Sequence, residues 1–151
     1  MGFDISGVNP ISETGSYFRN NVWWWRPLWG YCEHVCADLL SEDEWSSGSY
    51  NDGHEYDKDV CDEMARILEE EINNGNCEKY AESYKEWQEN LPKEPCMRCN
   101  GNNYGHNKKK ECKTCDKTGE NENWNASYPF DVDNVKEFVS FLKDSGGMEI
   151  F

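Results

Sequence analysis

The stretch VWWWRPLWGY, residues 22–31, places four tryptophans within seven positions of a chain that is otherwise strongly polar. The 151 residues carry a formal net charge of -15, and the mean hydropathy is -0.99. Three consecutive tryptophans cannot all face one core, whether the backbone is a helix or a strand. The stretch therefore predicts that its indole rings are divided between the core and the surface. Most of them anchor a hydrophobic core, and one or two line a surface or cleft.

Hydrophobic periodicity along the rest of the chain predicts a compact α+β domain that is mainly helical, with a small sheet built from the two termini. Strands are expected near residues 3–8 and near Tyr17, and the terminal MEIF, residues 148–151, is expected to pair with the first of them. Residues 41–57 are dense in turn formers and are predicted to be a loop. The whole chain, residues 1–151, has the size of a single domain.

Apolar residues spaced three and four apart predict four helices. The first is expected to begin around Pro27, because proline is tolerated in a first turn. The next two, within residues 57–75 and 77–91, are expected to form an antiparallel pair. The last is expected to start at a capping box made by Asn134 and Glu137.

Two Cys-x2-Cys pairs separated by twelve residues form the most specific motif of the chain, CMRCNGNNYGHNKKKECKTC. Thiolates at this spacing bind Zn²⁺ tetrahedrally, so residues 96–119 are predicted to be a zinc knuckle inserted between helices. Four sulfur ligands close the site to water, and no catalysis is expected there. His106 is an alternative ligand. The predicted zinc ligands are Cys96, Cys99, Cys112 and Cys115.

Four further cysteines fall on or beside the predicted helices. The first residues lack the pattern of a secretory signal, so free thiols and metal ligands are expected rather than disulfides. Two interpretations stay open for these cysteines: a second metal site, or small buried apolar side chains. They are Cys32, Cys36, Cys61 and Cys77.

The polar residues around the tryptophans predict a binding site for a nucleotide-type ligand. Indole rings stack on nucleobases, amides donate and accept hydrogen bonds, and a guanidinium binds phosphate. Asp52 and His54 have several interpretations: a lid over this ligand, an acid–base pair, ligands of a divalent cation, or a simple turn. The predicted ligand-binding residues are Arg19, Asn20, Asn21, Trp23, Trp24, Trp25, Arg26, Asp52 and His54.

Charge is distributed unevenly along the chain. Residues 38–91 contain 17 acidic and 4 basic side chains, whereas residues 93–119 contain 3 acidic and 7 basic ones. The acidic stretch would repel a phosphate backbone, so general nucleic-acid binding is not expected. It is interpreted either as a solvated helix surface or as a mimic of nucleic acid. No apolar run approaches the length of a membrane span, so no membrane association is expected.

The order of motifs resembles a family of small proteins carried by bacteriophages and phage-like metagenomic contigs. The resemblance runs nearly end to end and rests on YFRNNVWWWRPLW, NDG, the two cysteine pairs, YPF, NVKEF and SGGMEIF. It implies a protein made in the cytoplasm of a bacterial host, where small phage proteins often counter host defence, but no activity and no site residues. The two knuckles are also similar to half of a DnaJ-type cysteine-rich module.

Three functions follow as expectations. The first is a non-catalytic phage protein that sequesters a small nucleotide-type ligand, with a structural zinc. The second is an acidic inhibitor that binds a host defence protein in place of nucleic acid. The third is an enzyme that processes nucleotides through Asp52 and His54. The helical apolar seams and the surplus tryptophans are also compatible with a homo-oligomer.

Overall fold

Six strands and five helices lie within residues 2–101 and 108–151, which the computed structural model describes. The elements are β1 (Gly2–Gly7), β2 (Tyr17–Asn21), α1 (Val22–Val35), α2 (Glu42–Ser47), β3 (His54–Tyr56), α3 (Lys58–Asn73), α4 (Asn76–Glu89), β4 (Glu94–Pro95), β5 (Glu120–Asn121), α5 (Val132–Ser145) and β6 (Met148–Ile150). Short 3-10 turns lie at Ala37–Leu39, Lys109–Glu111 and Trp124–Ser127. The fold is α+β and mainly helical, which confirms the predicted class.

Residue contacts divide the chain into two units. The first unit comprises Met1–Lys85 and Pro129–Phe151, and the second unit comprises Glu86–Tyr128. The second unit contains the two cysteine pairs and the short β4–β5 ladder. That residues 1–151 form a single domain with an inserted knuckle stays a prediction.

A four-stranded antiparallel sheet in the order β2-β1-β6-β3 underlies the first unit. The terminal strand β6 pairs with β1, and Ile150 lies opposite Ile5, as the sequence predicted. Side chains alternate across the strands, so Phe3 and Ile5 of β1 are buried together with Met148 and Ile150 of β6. The sheet therefore joins the two ends of the chain around one core.

Helix α1 begins at Val22, so the predicted start around Pro27 was wrong. The side chain of Asn21 caps the helix, because its Oδ1 accepts hydrogen bonds from the N–H groups of Trp23 and Trp24 at 3.0 and 3.2 Å. Pro27 lies inside the helix, where it cannot donate to the carbonyl four residues earlier. The cap and the burial of the helix's apolar side chains offset that cost.

Aromatic rings from separate elements stack at the centre of the first unit. The ring centroid of Trp25 lies 5.5 Å from that of Phe3 and 5.3 Å from that of Trp29, which in turn lies 5.0 Å from that of Trp45. Both inner indoles donate into the protein, Trp25 Nε1 to the Gly48 carbonyl at 2.8 Å and Trp29 Nε1 to the Trp45 carbonyl at 2.9 Å. Burying rings with their N–H groups satisfied is how a polar chain obtains a bulky core.

The segment 41–57, predicted to be a loop, contains α2 and β3, so that prediction was wrong. Ser41 and Glu44 form a capping box: the Ser41 side chain accepts from the Glu44 N–H, and the Glu44 carboxylate accepts from the Ser41 N–H at 2.8 Å. Trp45 then anchors the short helix in the core. The Ser-x-x-Glu signal was present in the sequence, and the density of turn formers around it masked it.

Helix α5 begins at Val132 and is capped by Asp131, so the capping box expected at Asn134 was misplaced. Asn134 lies inside the helix, where its Oδ1 accepts a hydrogen bond from Asn20 Nδ2 at 3.1 Å. Gly146 ends the helix with a φ of 63° in the left-handed region, which glycine adopts without strain.

Helix α3 begins after Asp57, whose side chain accepts from the Val60 N–H at 2.9 Å, and it packs most extensively against α5. Among the described residues α4 makes no comparable contact with α3, so the predicted helix pair was wrong. Instead Tyr80 of α4 packs on Tyr31 and Phe130, with ring centroids 4.6 and 4.9 Å away. Aromatic packing, rather than the short connection between the helices, places α4.

Candidate functional site

The cysteine cluster of the second unit consists of Cys96, Cys99, Cys112 and Cys115, whose Sγ atoms all lie within 4.8 Å of one another. The Sγ atoms of Cys96 and Cys112 are 3.8 Å apart, and those of Cys99 and Cys115 are 3.7 Å apart. Sulfurs about 2.3 Å from one tetrahedral zinc ion lie about 3.8 Å from each other, whereas a disulfide brings them to about 2.0 Å. The spacing fits metal ligands, so the cluster is a possible metal site.

Left-handed turns after each cysteine pair shape the cluster. Residues 100–101 have φ values of 49° and 68°, and residues 116–117 have φ values of 49° and 66°. The matching turns curl the backbone back toward the sulfurs, and the Gly119 N–H donates to Cys115 Sγ at 3.2 Å. The ladder between β4 and β5 joins the chain on either side of the two turns. Local backbone geometry thus brings the four thiols together.

Backbone N–H groups favour the thiolate form of the first cysteine in each pair. The N–H of Cys99 lowers the pKa of the Cys96 thiol, and the N–H of Cys115 lowers the pKa of the Cys112 thiol to about 6. Burial acts in the opposite direction on the Cys99 thiol and raises its pKa to about 11. Thiolates are the form in which cysteines bind metals, so the lowered pKa of the Cys96 and Cys112 thiols favours coordination of a cation.

A second metal site is not found in the described part of the chain, where only the cysteine cluster brings three or more such ligands together. The remaining cysteines are buried in the core of the first unit, and burial raises the pKa of both the Cys36 and Cys61 thiols to about 12. They therefore act as small apolar side chains, one of the two interpretations. His106, the alternative ligand, lies outside the described residues.

The polar residues before the tryptophans organise the first unit itself. Arg19 is exposed on β2 and forms an ion pair with Asp4, with Nε 3.5 Å from Oδ1. Asn20 is buried and donates to Asn134, and Asn21 caps α1. Asn20 and Asn21 therefore connect strands and helices of the fold, whereas Arg19 forms a surface ion pair.

The consecutive tryptophans divide between core and surface, as their crowding predicted. Trp25 is buried, whereas Trp23 and Trp24 are half-buried and Arg26 is exposed. Trp29, one turn further along α1, is buried beside Trp25. The outer side of α1 therefore carries the polar and half-buried residues, and the inner side carries the aromatic stack.

Asp52 and His54 lie at a turn that leads into β3. Asp52 is exposed, and His54 packs its imidazole edge-on against Tyr56, with ring centroids 4.6 Å apart. Gly53 has a φ of 87° and donates its N–H to the Ile150 carbonyl at 2.8 Å. Within the described residues no hydrogen bond or ion pair joins Asp52 to His54. The arrangement is that of a turn, one of the four interpretations.

A surface cavity of about 300 Å³ adjoins α1 and is called the α1 cavity below. Two of the predicted ligand-binding residues, Trp25 and Arg26, line it. Its other lining residues were not predicted: Trp29, Gly30, Glu33, Ser49 and Tyr50. Residues three, four and seven positions after Arg26 share its side of a helix, and this spacing could have identified the ones on α1.

No protein-family model, curated protein or solved structure matches this chain. Nor does any helix in the described part of the chain have the length and apolar character that crossing a membrane requires. The cysteine cluster and the α1 cavity each lie within one unit.

Proposed function

We propose that this protein is a non-catalytic binding protein that sequesters a small nucleotide-type ligand in the α1 cavity. The observation that carries the proposal is a cavity of about 300 Å³ that is lined by Arg26 and by the exposed ring of Tyr50, beside the buried indoles of Trp25 and Trp29. Small-ligand sites start at about this volume. A guanidinium binds phosphate bidentately, and aromatic rings stack on bases.

A thermal-shift screen against mono-, di- and cyclic nucleotides tests this function. A ligand at one hundred times its Kd adds about 2.7 kcal/mol of stability, which raises the Tm of a chain of this size by roughly 5 to 10 °C. The Arg26→Ala variant should lose the shift, while Arg66→Ala on α3 serves as the matched control. A ligand recovered chemically unchanged supports sequestration. An altered ligand would favour an enzyme, and a screen without any shift would contradict nucleotide binding.

We further propose that the cysteine cluster holds a structural Zn²⁺ ion. Four thiolates at tetrahedral spacing suit zinc and leave no coordination position for water, so the ion stabilises the second unit without taking part in a reaction. Metal analysis of protein purified without added metal should find one zinc per chain. Cys112→Ser should lower that content, and Cys36→Ala, in the core, should not. Iron in place of zinc would contradict the proposal.

The resemblance to phage proteins supports a setting for this activity. In a bacterial cytoplasm, a phage protein that sequesters a nucleotide would remove a signal on which a host defence depends. The proposed role is therefore anti-defence by ligand capture. A host that carries a nucleotide-signalling defence should regain phage sensitivity when it expresses this chain, and should not regain it with Arg26→Ala.

A second candidate function, inhibition of a host protein by nucleic-acid mimicry, is favoured by the surface of α4. Exposed carboxylates recur on it every three or four residues, and none of them forms an ion pair within the described residues. They are Glu78, Glu82, Glu86 and Glu89. Such a complex should weaken steeply as salt rises, whereas stacking in a cavity should change little. Displacement of a DNA duplex from a host DNA-binding protein, measured at two salt concentrations, separates the two functions.

A further inference from the structure

Residues of opposite charge line the α1 cavity about two helical turns apart. Arg26 and Glu33 both line it and are both exposed. They lie seven residues apart on one helix, which corresponds to about 10 Å along the axis. Gly30 lies between them and has no side chain. A Cβ added at that position would meet nothing within 4 Å, so the space beside Gly30 is open. A ligand in this cavity can lie along the helix and meet a cation at one end and a carboxylate at the other.

This separation restricts the class of ligand. The α-ammonium and α-carboxylate groups of an amino acid are attached to one carbon atom, so this pair of groups cannot reach both residues. A nucleoside monophosphate places its phosphate and the pairing edge of its base at opposite ends of the sugar. With the phosphate on the Arg26 guanidinium, the edge of the base lies toward the Glu33 carboxylate. The two charges thus match the two ends of a nucleotide.

The carboxylate at the base end restricts the base. An ionised carboxylate only accepts hydrogen bonds, so it needs neighbouring donors. Guanine offers N1–H and N2–H side by side, whereas adenine and cytosine place an acceptor next to their amino group, and uracil flanks one N–H with two carbonyls. We propose that the α1 cavity binds a guanine nucleotide, with Glu33 accepting from the base and Arg26 binding the phosphate. This inference rests on the proposed function and names its ligand class.

Of the three rings that line the cavity, Tyr50 is the exposed one, and it provides stacking rather than polar selection. The indoles of Trp25 and Trp29 are at most 2 % exposed, and their Nε1 atoms donate to the carbonyls of Gly48 and Trp45, so they close the wall of the cavity without offering a base a stacking face or a donor. Tyr50 is 62 % exposed and lines the cavity from outside α1, so its ring can cover a base. Selection between bases therefore depends on Glu33.

Titration calorimetry with GMP, AMP, CMP and UMP tests the inference. We expect GMP to bind at least about tenfold more tightly than AMP, since a site built around hydrogen bonds rejects a base that cannot make them. Glu33→Gln should weaken GMP binding about tenfold and strengthen AMP binding, because an amide can pair with the N1 acceptor and the amino group of adenine. Glu42→Gln, an exposed carboxylate at the start of α2, should change neither. Gly30→Leu fills the cavity from an open position and should abolish binding of all four.

The outcomes separate this inference from the proposed function. Equal binding of all four nucleotides, abolished by Gly30→Leu, would overturn guanine selection and leave the cavity as the binding site. GMP binding that is insensitive to both Glu33→Gln and Gly30→Leu would overturn the inference by placing the site elsewhere. If wild-type protein binds none of the four, both proposals fail. Urea unfolding curves of each variant show that a lost affinity is not a lost fold.

Discussion

Replacing Gly48 by alanine tests whether the tryptophan stack holds the first unit together. Gly48 has a φ of -67°, which any residue adopts, so the only obstacle is space. An added Cβ would lie 2.2 Å from Cε2 and Cζ2 of Trp29 and 2.5 Å from its Nε1. The indole is 2 % exposed and is enclosed by Trp25 and Trp45, with ring centroids 5.3 and 5.0 Å away. It cannot move without displacing them.

The expected cost combines overpacking with weakened hydrogen bonds. Forcing an extra methyl group into a packed core costs about 1–3 kcal/mol. A displaced ring also disturbs the two bonds that fix the stack, from Trp25 Nε1 to the Gly48 carbonyl and from Trp29 Nε1 to the Trp45 carbonyl. Losing one of them adds about 1 kcal/mol. We therefore expect the free energy of unfolding to fall by about 2–4 kcal/mol and the Tm by roughly 4 to 16 °C.

Urea unfolding followed by far-UV circular dichroism measures this change, and Gly30→Ala provides the matched control. Gly30 lies in α1, where an added Cβ meets nothing within 4 Å, so alanine should raise the free energy of unfolding by about 0.5–1 kcal/mol through helix propensity. Opposite signs for the two substitutions are the expected result. If Gly48→Ala stays within about 0.5 kcal/mol of the wild type, the stack is not tightly packed and the reasoning is refuted.

Three more perturbations address thiols, pH and capping. A thiol reagent at neutral pH should react slowly with the native protein, rapidly with four cysteines after a chelator has removed the metal, and with all eight cysteines after unfolding. Rapid reaction of a fifth cysteine in the chelator-treated protein would contradict the burial of the core thiols. Burial raises the pKa of the Cys36 and Cys61 thiols to about 12, so the stability that each neutral thiol contributes is complete below the unfolded pKa of about 8.5. Above that pKa, each contribution falls by about 1.4 kcal/mol per pH unit. In urea titrations from about pH 8 to 10.5, the free energy of unfolding should therefore decline less steeply with pH for Cys36→Ala than for the wild type. An equal decline in both proteins would contradict the raised pKa of the Cys36 thiol. Asn21→Ala should cost about 1 kcal/mol in the same assay, whereas Asn21→Asp keeps the cap and should cost little.

Features encoded by local spacing were predictable from the sequence. The cysteine cluster follows from two Cys-x2-Cys pairs, because each pair needs only its own turn to bring its sulfurs together. The pairing of the terminal strand with β1 follows from alternating apolar residues such as Phe3 and Ile5 and from the glycines that end α5. In both cases the sequence pattern and the contact that it predicts involve the same few residues.

Features set by contacts between distant segments were not predictable. Pro27 misplaced the start of α1, because the helix is specified by the Asn21 cap and by rings that pack on other elements. The α1 cavity requires Tyr50 to lie opposite α1, and α2 places it there by burying Trp45 against Trp29. Periodicity along one segment contains no information on that contact. The position of Tyr50 in the wall of the α1 cavity therefore depends on the folded chain and could not be predicted from one segment.

The two sides of α1 make stability and binding separately testable. The inner side buries Trp25 and Trp29, whose indole N–H groups are satisfied within the protein. The outer side exposes Arg26 and Glu33, and neither belongs to the aromatic stack. Substitutions on the outer side should change affinity with little effect on unfolding, and substitutions on the inner side should do the reverse. Because one helix carries both sets of residues, the stack that stabilises the first unit also holds in place the helix on which Arg26 and Glu33 lie.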